Sequence, residues 1–501
     1  MGREEQIIDS RLKKISELKK LGINPYPSKY DVKNYASELQ EKYKKLKNDS
    51  NTKNKVNVAG RVMIIRDMGK IAFSTLQDST GKIQFVLRDG DTGKKDFEFF
   101  KKFIDAGDFV GVEGLIIKTQ RGELSILVKK IELLSKSIFP LPEKWHGLQD
   151  EEEKFRKRYL DILMNSDVKE IFLKKQKFWQ TIRNFLNERG FLEVETPVLE
   201  TSAGGASATP FKTHMNALDI DLFLRISMGE LWQKKLMAAG FGKTFEIGRQ
   251  FRNEGIDMEH LQDYTQMEFY WSYADYNDGM KLVEEMYKKV AREVIGTLKF
   301  ETHEYKIDFG KKWELYDYQT VIKKYSGIDI YKDSEFKIKE KLDELNVDYL
   351  NVEDKWKLID NLWKYCRKKL AGPGFLINQP VEITPLAKRN EKDNRKVEQF
   401  QVIIAGTEMG NGYSELNDPL DQEERFKRQM ELKKKGDSEA QNHDKGFVEA
   451  LKYGMPPTCG FGVSERLFSY MINRPIRECV LFPLLRPEEK EKKNGELNSK
   501  K

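Results

Sequence analysis

Apolar side chains recur at helical spacing near the start of the chain. Over residues 3–21 they alternate with charged side chains as in an amphipathic helix, and Gly22, followed by two prolines, ends the pattern. A polar, lysine-rich stretch then continues to about residue 55. This pattern predicts an N-terminal helical extension over residues 1–54.

The pattern then changes to short β-rich runs. Five runs follow one another, separated by Gly and Asp: VNVAGRVMII, IAFSTLQD, KIQFVLRD, DFVGVEGLIIKT and ELSILVKKIELL. Several short strands with turn residues between them are typical of a small closed β-barrel, and among such barrels we expect an OB-fold. We predict this domain at residues 55–140 and a linker at residues 141–158.

Helical and β-like patterns mix irregularly in the rest of the chain. Helical spacing predicts helices at 168–189 and 276–297 and a charged helical insertion at 330–370. The β-like runs are 219–226, 244–251, 264–272, 398–409 and 457–463. Such a mixture favours an α+β domain on a mostly antiparallel sheet. We predict this domain at residues 159–487 and a disordered Lys/Glu-rich tail at 488–501.

Composition and charge narrow the class of protein. The 501 residues suggest about two to four domains, and 39% hydrophobic with 34% charged residues predicts a soluble globular protein. The net charge of +7 permits a polyanionic partner such as RNA without demanding one. Three cysteines without metal-ligand spacing fit a cytoplasmic protein. No apolar run approaches the roughly 20 residues of a membrane span, so we expect no membrane association.

Two β-like runs flank a charged loop in FEIGRQFRNEGIDMEHLQDYTQMEFYWSYADY (245–276), which predicts an antiparallel hairpin. We expect Arg252 on one strand, with Glu254 two residues on and on the same face. His260 falls in the loop, and Tyr264 begins the return strand. A guanidinium that holds phosphate and an aromatic ring that stacks a base suit a nucleotide. A solvated hairpin with surface ion pairs explains the same residues equally well.

A second chemical candidate is GTEMGNGYSELND (406–418). Its three glycines allow the backbone to approach a ligand closely, and Glu408 and Glu415 stand out among them. A glutamate there could coordinate Mg²⁺ beside phosphates or hold an ammonium group. A Gly-rich bulge with solvated acids is the alternative. Further on, CGFGVSER (459–466) places small residues before Arg466, another candidate phosphate or adenine clamp.

Other nucleotide-binding signatures are missing from the sequence. There is no G-x-x-x-x-G-K-[ST], and Gly204–Gly205–Ala206 is not a dinucleotide fingerprint. The class I synthetase signatures HIGH and KMSKS are also missing. Three separated strand motifs that carry Arg and Glu are therefore the candidates for holding ATP.

Three stretches resemble motifs 1, 2 and 3 of the class II aminoacyl-tRNA synthetases, in that order. They are RGFLEVETPVL (189–199), the predicted hairpin at 245–276 and GTEMGNGYSELND (406–418). The wider match is similar to the bacterial-type lysyl-tRNA synthetases of subclass IIb and extends from NPYP (24–27) to LFPLLRP (481–487). Further matching strings are VAGRVMIIRDMGKIAF, LQDSTGKIQF, RGELSI, LPEKWHGLQD, RKRYLDIL, GGASATPFKTH and PPTCGFG. The resemblance implies a catalytic domain with a six- to seven-stranded antiparallel sheet, dimerised through motif 1 around Pro197, after an OB domain that reads the anticodon.

The resemblance also implies the ATP contacts. It implies that Arg252 binds the α-phosphate, that Glu254 helps to fix ATP and that His260 contacts the γ-phosphate. It also implies that Tyr264 stacks on one face of the adenine and Arg466 on the other. Glu408 would bind a Mg²⁺ ion. Gln401 stands seven residues before Glu408, where family members usually carry a second acidic ligand. An amide coordinates weakly, so the number of Mg²⁺ ions is left open. CGFGVSER is also one residue shorter than the family's run, and Ser464 replaces a glycine, which bears on the placement of Arg466.

The lysine and anticodon contacts follow from the same resemblance. It implies Gly205 at the pocket floor, Glu230 at the substrate's α-amino group, and Glu415 at its ε-ammonium, with Tyr270 and Asn411 beside it. The related aspartyl and asparaginyl enzymes carry an arginine at the position of Glu415, so a carboxylate there favours a cationic amino acid. The resemblance also implies an anticodon-binding site in the OB domain. There Phe73 would stack on a uridine, and Arg66, Gln84 and Glu123 would contact base edges.

The activity that these residues imply is ligation of L-lysine to tRNA(Lys), with ATP and Mg²⁺. Three alternatives are weighed against it. The first is an aspartyl- or asparaginyl-type ligase. The second is a truncated relative that modifies a translation factor, against which the predicted OB domain argues. The third is a non-catalytic RNA-binding protein, against which the joint presence of Arg252, Glu408 and Arg466 argues.

Overall fold

The computed structural model describes residues 2–142, 150–202, 204, 208–255, 257–349, 354–434 and 444–488. The chain divides into two compact units, Met1–Gln149 and Asp150–Lys501. Among the described residues, no helix has both the length and the apolar composition needed to cross a bilayer. All of the predicted tail after Glu488 lies outside the described residues.

The first unit contains a closed five-stranded barrel with the strand order β1-β2-β3-β5-β4, which confirms the predicted OB-fold. Its elements are α1 (Arg3–Lys20), α2 (Ala36–Lys42), β1 (Ser50–Asp67), β2 (Ile71–Gln77), β3 (Lys82–Arg88), α3 (Lys94–Phe103), β4 (Phe109–Lys118) and β5 (Leu124–Ser135). The sequence did not predict α3. Phe97, Phe100 and Phe103 of this helix pack into the barrel core, and a pair of lysines stands near each end of the helix.

The second unit is an α+β domain, as predicted. Its helices are α4 (Glu151–Arg156), α5 (Arg158–Met164), α6 (Ser166–Asn187), α7 (Glu230–Ala238), α8 (Tyr276–Val294), α9 (Tyr318–Ser326), α10 (Glu335–Glu344), α11 (Lys355–Arg367), α12 (Pro419–Lys434), α13 (Lys445–Lys452) and α14 (Arg466–Met471). Its strands are β6 (Leu192–Glu193), β7 (Leu199–Glu200), β8 (Lys212–Met215), β9 (Ile220–Leu224), β10 (Lys243–Phe251), β11 (Asp263–Ser272), β12 (Lys299–Thr302), β13 (Tyr305–Asp308), β14 (Glu314–Asp317), β15 (Gly374–Ile377), β16 (Gln399–Ile404), β17 (Thr407–Ser414) and β18 (Thr458–Ser464).

The main sheet of this unit has eight strands in the order β14-β15-β16-β17-β18-β11-β10-β6. The six inner strands pair antiparallel, whereas β14 and β6 add to the two edges in parallel. The expected number of six to seven strands is therefore corrected to eight. The edge strands have only four and two residues, which is too short for a period-2 pattern to be read from the sequence.

The predicted strand at 398–409 is wrong as a single run. Two strands, β16 and β17, form a hairpin there, and Ala405 and Gly406 make its turn with φ values of 50° and 69°. A two-residue turn with both φ values positive favours Asn-Gly or Asp-Gly, so Ala-Gly gave no clear turn signal. Glu408 therefore lies on β17, while Glu415 directly follows the last residue of that strand.

The two faces of the sheet have different surroundings. Because side chains alternate along a strand, Met267 and Phe269 of β11 enter the hydrophobic core, where α6 and α8 pack. The residues that alternate with these two along β11 line a cavity, namely Gln266, Glu268 and Tyr270. The core helices therefore cover one face of the sheet, and polar side chains reach a cavity from the other.

Candidate active site

The cavity has a volume of about 580 Å³ and collects most of the residues that the sequence singled out. Those that line it are Arg252, Glu254, His260, Tyr264, Tyr270, Gln401, Glu408, Asn411, Glu415 and Arg466. Two further candidates for this site cannot be placed in it, because Gly205 lies outside the described residues and Glu230 begins α7 with its side chain outside them. The fold thus brings stretches that are more than 200 residues apart in sequence to one site.

Arg252 and Glu254 lie just beyond β10, not on it. The β10–β11 ladder ends at the pair Phe251–Asp263, and the Arg252 N–H then donates to the Gln262 carbonyl at 2.8 Å. The guanidinium of Arg252 lies 5.6 Å from the centre of the Tyr264 ring. The expected hairpin is confirmed, but a strand position for Arg252 and Glu254 is wrong, because the chain leaves the ladder one residue earlier.

Arg466, at the start of α14, contacts both flanks of the cavity. Its Nη1 lies 3.5 Å from Nε2 of His260 and 3.8 Å from a carboxylate oxygen of Glu259. Its Nη2 donates to the main-chain oxygen of Glu408 at 2.5 Å. Glu259 also accepts a hydrogen bond from the Tyr470 hydroxyl at 2.6 Å. The guanidinium therefore connects the β10–β11 loop to β17.

Glu408 is surrounded by donors. Its carboxylate accepts from Trp363 Nε1 at 2.9 Å and from Gln401 Nε2 at 3.1 Å, and Arg367 Nη1 lies 3.3 Å away. Within the described ranges, no three Asp, Glu, His or Cys side chains group as a metal cage. Mg²⁺ commonly uses one or two carboxylates together with substrate phosphates. One carboxylate and one amide fit an ion of that kind, held chiefly by phosphate.

The other end of the cavity contains a buried ion pair. Nζ of Lys234, on α7, lies 2.5 Å from Oε2 of Glu415, and both side chains are 1% exposed. Lys234 also lies 5.4 Å from the Tyr413 ring centre and 5.5 Å from that of Phe447. Burial raises the pKa of Glu415 to about 7, against the opposing attraction of Lys234. Gly460 packs so closely on this carboxylate that a Cβ there would clash with Oε1 of Glu415.

Glu268 is a second buried carboxylate in the cavity, and the sequence analysis missed it. Its oxygens accept from Gln266 Nε2 at 2.7 Å, Ser227 Oγ at 3.1 Å, the Met228 N–H at 3.2 Å and the Tyr270 hydroxyl at 3.3 Å. No lysine or arginine of the described chain forms an ion pair with it. The available signal was the alternation along β11, which puts Glu268 on the same face as Tyr270.

The four anticodon candidates lie on the barrel of the first unit. Arg66 and Phe73 are partners across β1 and β2, and Gln84 follows on the neighbouring strand β3. Phe73 and Gln84 belong to the outward-facing set of β2 and β3, since their neighbours along each strand are buried, and Arg66 is exposed on β1. Ser125 Oγ donates to Gln84 at 2.8 Å, and Glu123 directly precedes β5. This outer face of strands 2 and 3 is where OB-folds bind oligonucleotides.

Comparison with known protein families agrees with this architecture. Residues 150–486 match the family described as tRNA synthetases class II (D, K and N), and residues 56–134 match the family of OB-fold nucleic acid binding domains. The second unit, whose main sheet lines the cavity with residues of β11, β17 and β18, is therefore the catalytic domain of a class II tRNA synthetase.

Individual relatives narrow the assignment further. The chain is 44% identical to the lysine–tRNA ligase of Thermosipho africanus, over 96% of each chain. It is 44% identical to that of Thermotoga maritima, over 97% of each. The lysine–tRNA ligase of Nostoc punctiforme is 42% identical over 97% of this chain and 88% of the relative. The chain belongs to the lysine–tRNA ligase family.

Proposed function

We propose that this protein ligates L-lysine to tRNA(Lys) in two steps. The carboxylate of lysine attacks the α-phosphorus of ATP, an acyl–phosphate bond forms, and pyrophosphate leaves. The 3′-terminal ribose hydroxyl of the tRNA then attacks the acyl carbon, so that lysyl-tRNA forms and AMP leaves. The observation that carries the proposal is the pair of buried carboxylates, Glu268 and Glu415, which line the same cavity as Arg252.

The charge balance of this pocket favours lysine over acidic amino acids. When both carboxyl groups are ionised, Lys234 offsets one of them and leaves a net charge of −1 among the three side chains. Lysine, with two ammonium groups and one carboxylate, has a net charge of +1. Aspartate would instead add a buried negative charge without a partner, at a cost of several kcal/mol. The same reasoning supports Glu415, Tyr270 and Asn411 as the residues that surround the ε-ammonium, with Glu268 added to them.

The arginine-rich end of the cavity suits ATP. We propose that Arg252 binds the α-phosphate and that Tyr264 stacks on the adenine, since the guanidinium and the ring are neighbours. We further propose that Glu254 fixes the nucleotide, that His260 meets the γ-phosphate and that Arg466 closes over the adenine's other face. No side-chain nucleophile is needed, because the site acts by orientation and by stabilising charge on the α-phosphate.

Mg²⁺ has a candidate site at this end. We propose that Glu408 holds the ion, with Gln401 as a weak amide ligand. Bound Mg²⁺ would offset the charge of the leaving pyrophosphate. Two contacts of the amino acid rest on the family resemblance alone, namely Gly205 at the pocket floor and Glu230 at the α-ammonium.

The barrel is proposed to bind the anticodon of tRNA(Lys). Phe73 would stack on one base, while Arg66, Gln84 and Glu123 would contact base edges. An RNA-binding barrel attached to the catalytic domain speaks against the truncated relatives that modify a translation factor. We infer a cytoplasmic location, because the reaction consumes ATP and tRNA.

A homodimer is proposed through the segment around Pro197. Three large apolar side chains there are strongly exposed in the single chain, namely Leu192 (52%), Val198 (39%) and Leu199 (49%). Apolar side chains clustered on a surface are typical of an interface. Light scattering should give the mass of two chains, and Leu199→Glu should lower it to that of one.

The direct test of the function is charging of a tRNA(Lys) transcript with radiolabelled lysine. The parent protein should form acid-precipitable lysyl-tRNA in an ATP-dependent reaction. Glu268→Gln should raise the KM for lysine by roughly tenfold or more, because hydrogen bonds to charged groups contribute about 1.5–3 kcal/mol. Its KM for ATP should stay close to that of the parent. A failure of the parent protein to charge tRNA(Lys) would contradict the proposal.

A further inference from the structure

Helix α11 presents charged side chains to the ATP end of the cavity. Asp360, Lys364 and Arg367 all line it. They are spaced at i, i+4 and i+7, so they lie along one face of the helix. Lys364 is 57% exposed and is paired with Asp360 at 2.8 Å, whereas only 23% of the Arg367 side chain is exposed. Arg367 is thus the cation that α11 fixes deepest in the site.

The guanidinium of Arg367 has donors left over. Nη1 lies 3.3 Å from Oε1 of Glu408. Nε is buried and has no hydrogen-bond partner among the described residues. A guanidinium has five N–H donors in a planar fork that matches phosphate oxygens. The terminal Nη groups, on a side chain that lines the cavity and is 23% exposed, are the donors that a phosphate beside Glu408 would meet.

The charge around Glu408 points the same way. Its neighbour Gln401 is a neutral amide and donates its N–H to the Glu408 carboxylate. Arg367 offsets the single negative charge of Glu408, so this cluster of three side chains is neutral. A neutral cluster attracts divalent cations less strongly than a pair of carboxylates does. More of the positive charge that a triphosphate needs must then come from the protein.

We propose that Arg367 binds the β- and γ-phosphates of ATP through charge-assisted hydrogen bonds of its guanidinium, and that ATP binding therefore depends less on Mg²⁺. The inference rests on the proposed ATP site and adds a phosphate-binding residue to it from outside the three sequence motifs. Its consequence is that the protein binds ATP appreciably without divalent metal. AMP lacks the two outer phosphates, so Arg367 does not contribute to AMP binding.

The test is equilibrium binding of ATP and of AMP by calorimetry, without lysine, in EDTA and again with Mg²⁺. Arg367→Gln should weaken ATP binding in EDTA by roughly tenfold or more, as expected for lost charge-assisted hydrogen bonds. Its affinity for AMP should not change, and Mg²⁺ should reduce the loss for ATP. Arg367→Lys, which keeps the charge but not the fork, should lose less. Lys369→Gln removes the same charge from a residue that does not line the cavity and should bind ATP like the parent.

Two results would overturn the inference while leaving the ATP site intact. The first is an Arg367→Gln variant that binds ATP in EDTA as tightly as Lys369→Gln does. The second is an equal loss of ATP and AMP affinity, which would mean that Arg367 only positions Glu408 or the cavity wall. If the parent protein bound neither nucleotide, the proposed function itself would fail.

Discussion

The ammonium of Lys234 lies 2.5 Å from the carboxylate of Glu415, and each side chain is only 1% exposed. The protein thus contains an ammonium–carboxylate contact of its own at the end of the cavity proposed to take the substrate's ammonium. An unpartnered charge is costly at such depth, and the attraction of Lys234 opposes the rise that burial causes in the pKa of Glu415.

Breaking this pair on one side should cost much more than replacing both partners. Glu415→Gln removes the carboxylate that pairs with the buried Lys234 ammonium and should lower the free energy of unfolding by up to about 3–5 kcal/mol. The double variant Lys234→Met/Glu415→Gln should be less destabilised than the sum of the two single changes. Urea denaturation of the four proteins measures this coupling. Additive single effects would show that the two charges do not stabilise each other.

Arg252→Ala should lower lysine-dependent ATP–pyrophosphate exchange by roughly 100-fold or more, because an oriented donor at the reacting phosphate is removed. Arg249→Ala is the matched control. Arg249 lies on β10, three residues before Arg252, and pairs with Asp263 outside the cavity. Its exchange rate should stay within a few-fold of the parent. Near-normal exchange by Arg252→Ala would exclude the proposed role.

Glu200→Gln should stabilise the protein in a pH-dependent way. Burial raises the pKa of Glu200 to about 7, against the hydrogen bond from Trp232 and the charge of Arg225. The unfolded chain loses this proton near the ordinary value of 4.5, so the parent loses stability as the pH rises from 4.5 to 7. Glutamine keeps the Oε1 that accepts from Trp232 Nε1 and avoids the ionisation.

The stabilising effect of Glu200→Gln should therefore reach up to about 3 kcal/mol at pH 8 and become small at pH 5. Urea denaturation at the two pH values measures it. Glu449→Gln, at an exposed position of α13, should change stability little at either pH. An equal effect of Glu200→Gln at both pH values would contradict the proposed titration.

Phe73→Ala should weaken tRNA use without changing amino-acid activation. Loss of one base-stacking contact should lower kcat/KM for charging tRNA(Lys) by roughly tenfold, while ATP–pyrophosphate exchange stays as in the parent. Phe109→Ala removes an exposed aromatic ring from β4 of the same barrel, which pairs with neither β2 nor β3. It should charge tRNA normally. Equal losses in both variants would point to a general effect on the barrel.

Local patterns in the sequence were sufficient for much of this fold. The strands of the barrel follow from alternation and turn residues, and the β10–β11 hairpin follows from two β-like runs around a charged loop. The turn at Ala405–Gly406 was not predicted, because alanine rarely adopts a positive φ. The helix α3 was not predicted because its four phenylalanines lie within a short, lysine-rich run.

The site was predictable where its residues belong to a motif and not where only the fold brings them together. Arg252, Glu408 and Arg466 lie in recognisable stretches. Lys234 lies on α7 and reaches Glu415 across 181 positions of sequence. Arg367 approaches Glu408 from α11, in a segment whose sequence indicated only a charged insertion. Contacts of this kind depend on tertiary packing, for which one sequence gives no local signal.

The most direct test of the central claim is ATP–pyrophosphate exchange measured with each of the twenty amino acids in turn. The pocket contains two buried carboxylates, Glu268 and Glu415, and Lys234 pairs with the second of them. Lysine should therefore support by far the fastest exchange. Aspartate and asparagine should support none above background. Exchange driven by aspartate or asparagine, and not by lysine, would contradict the account.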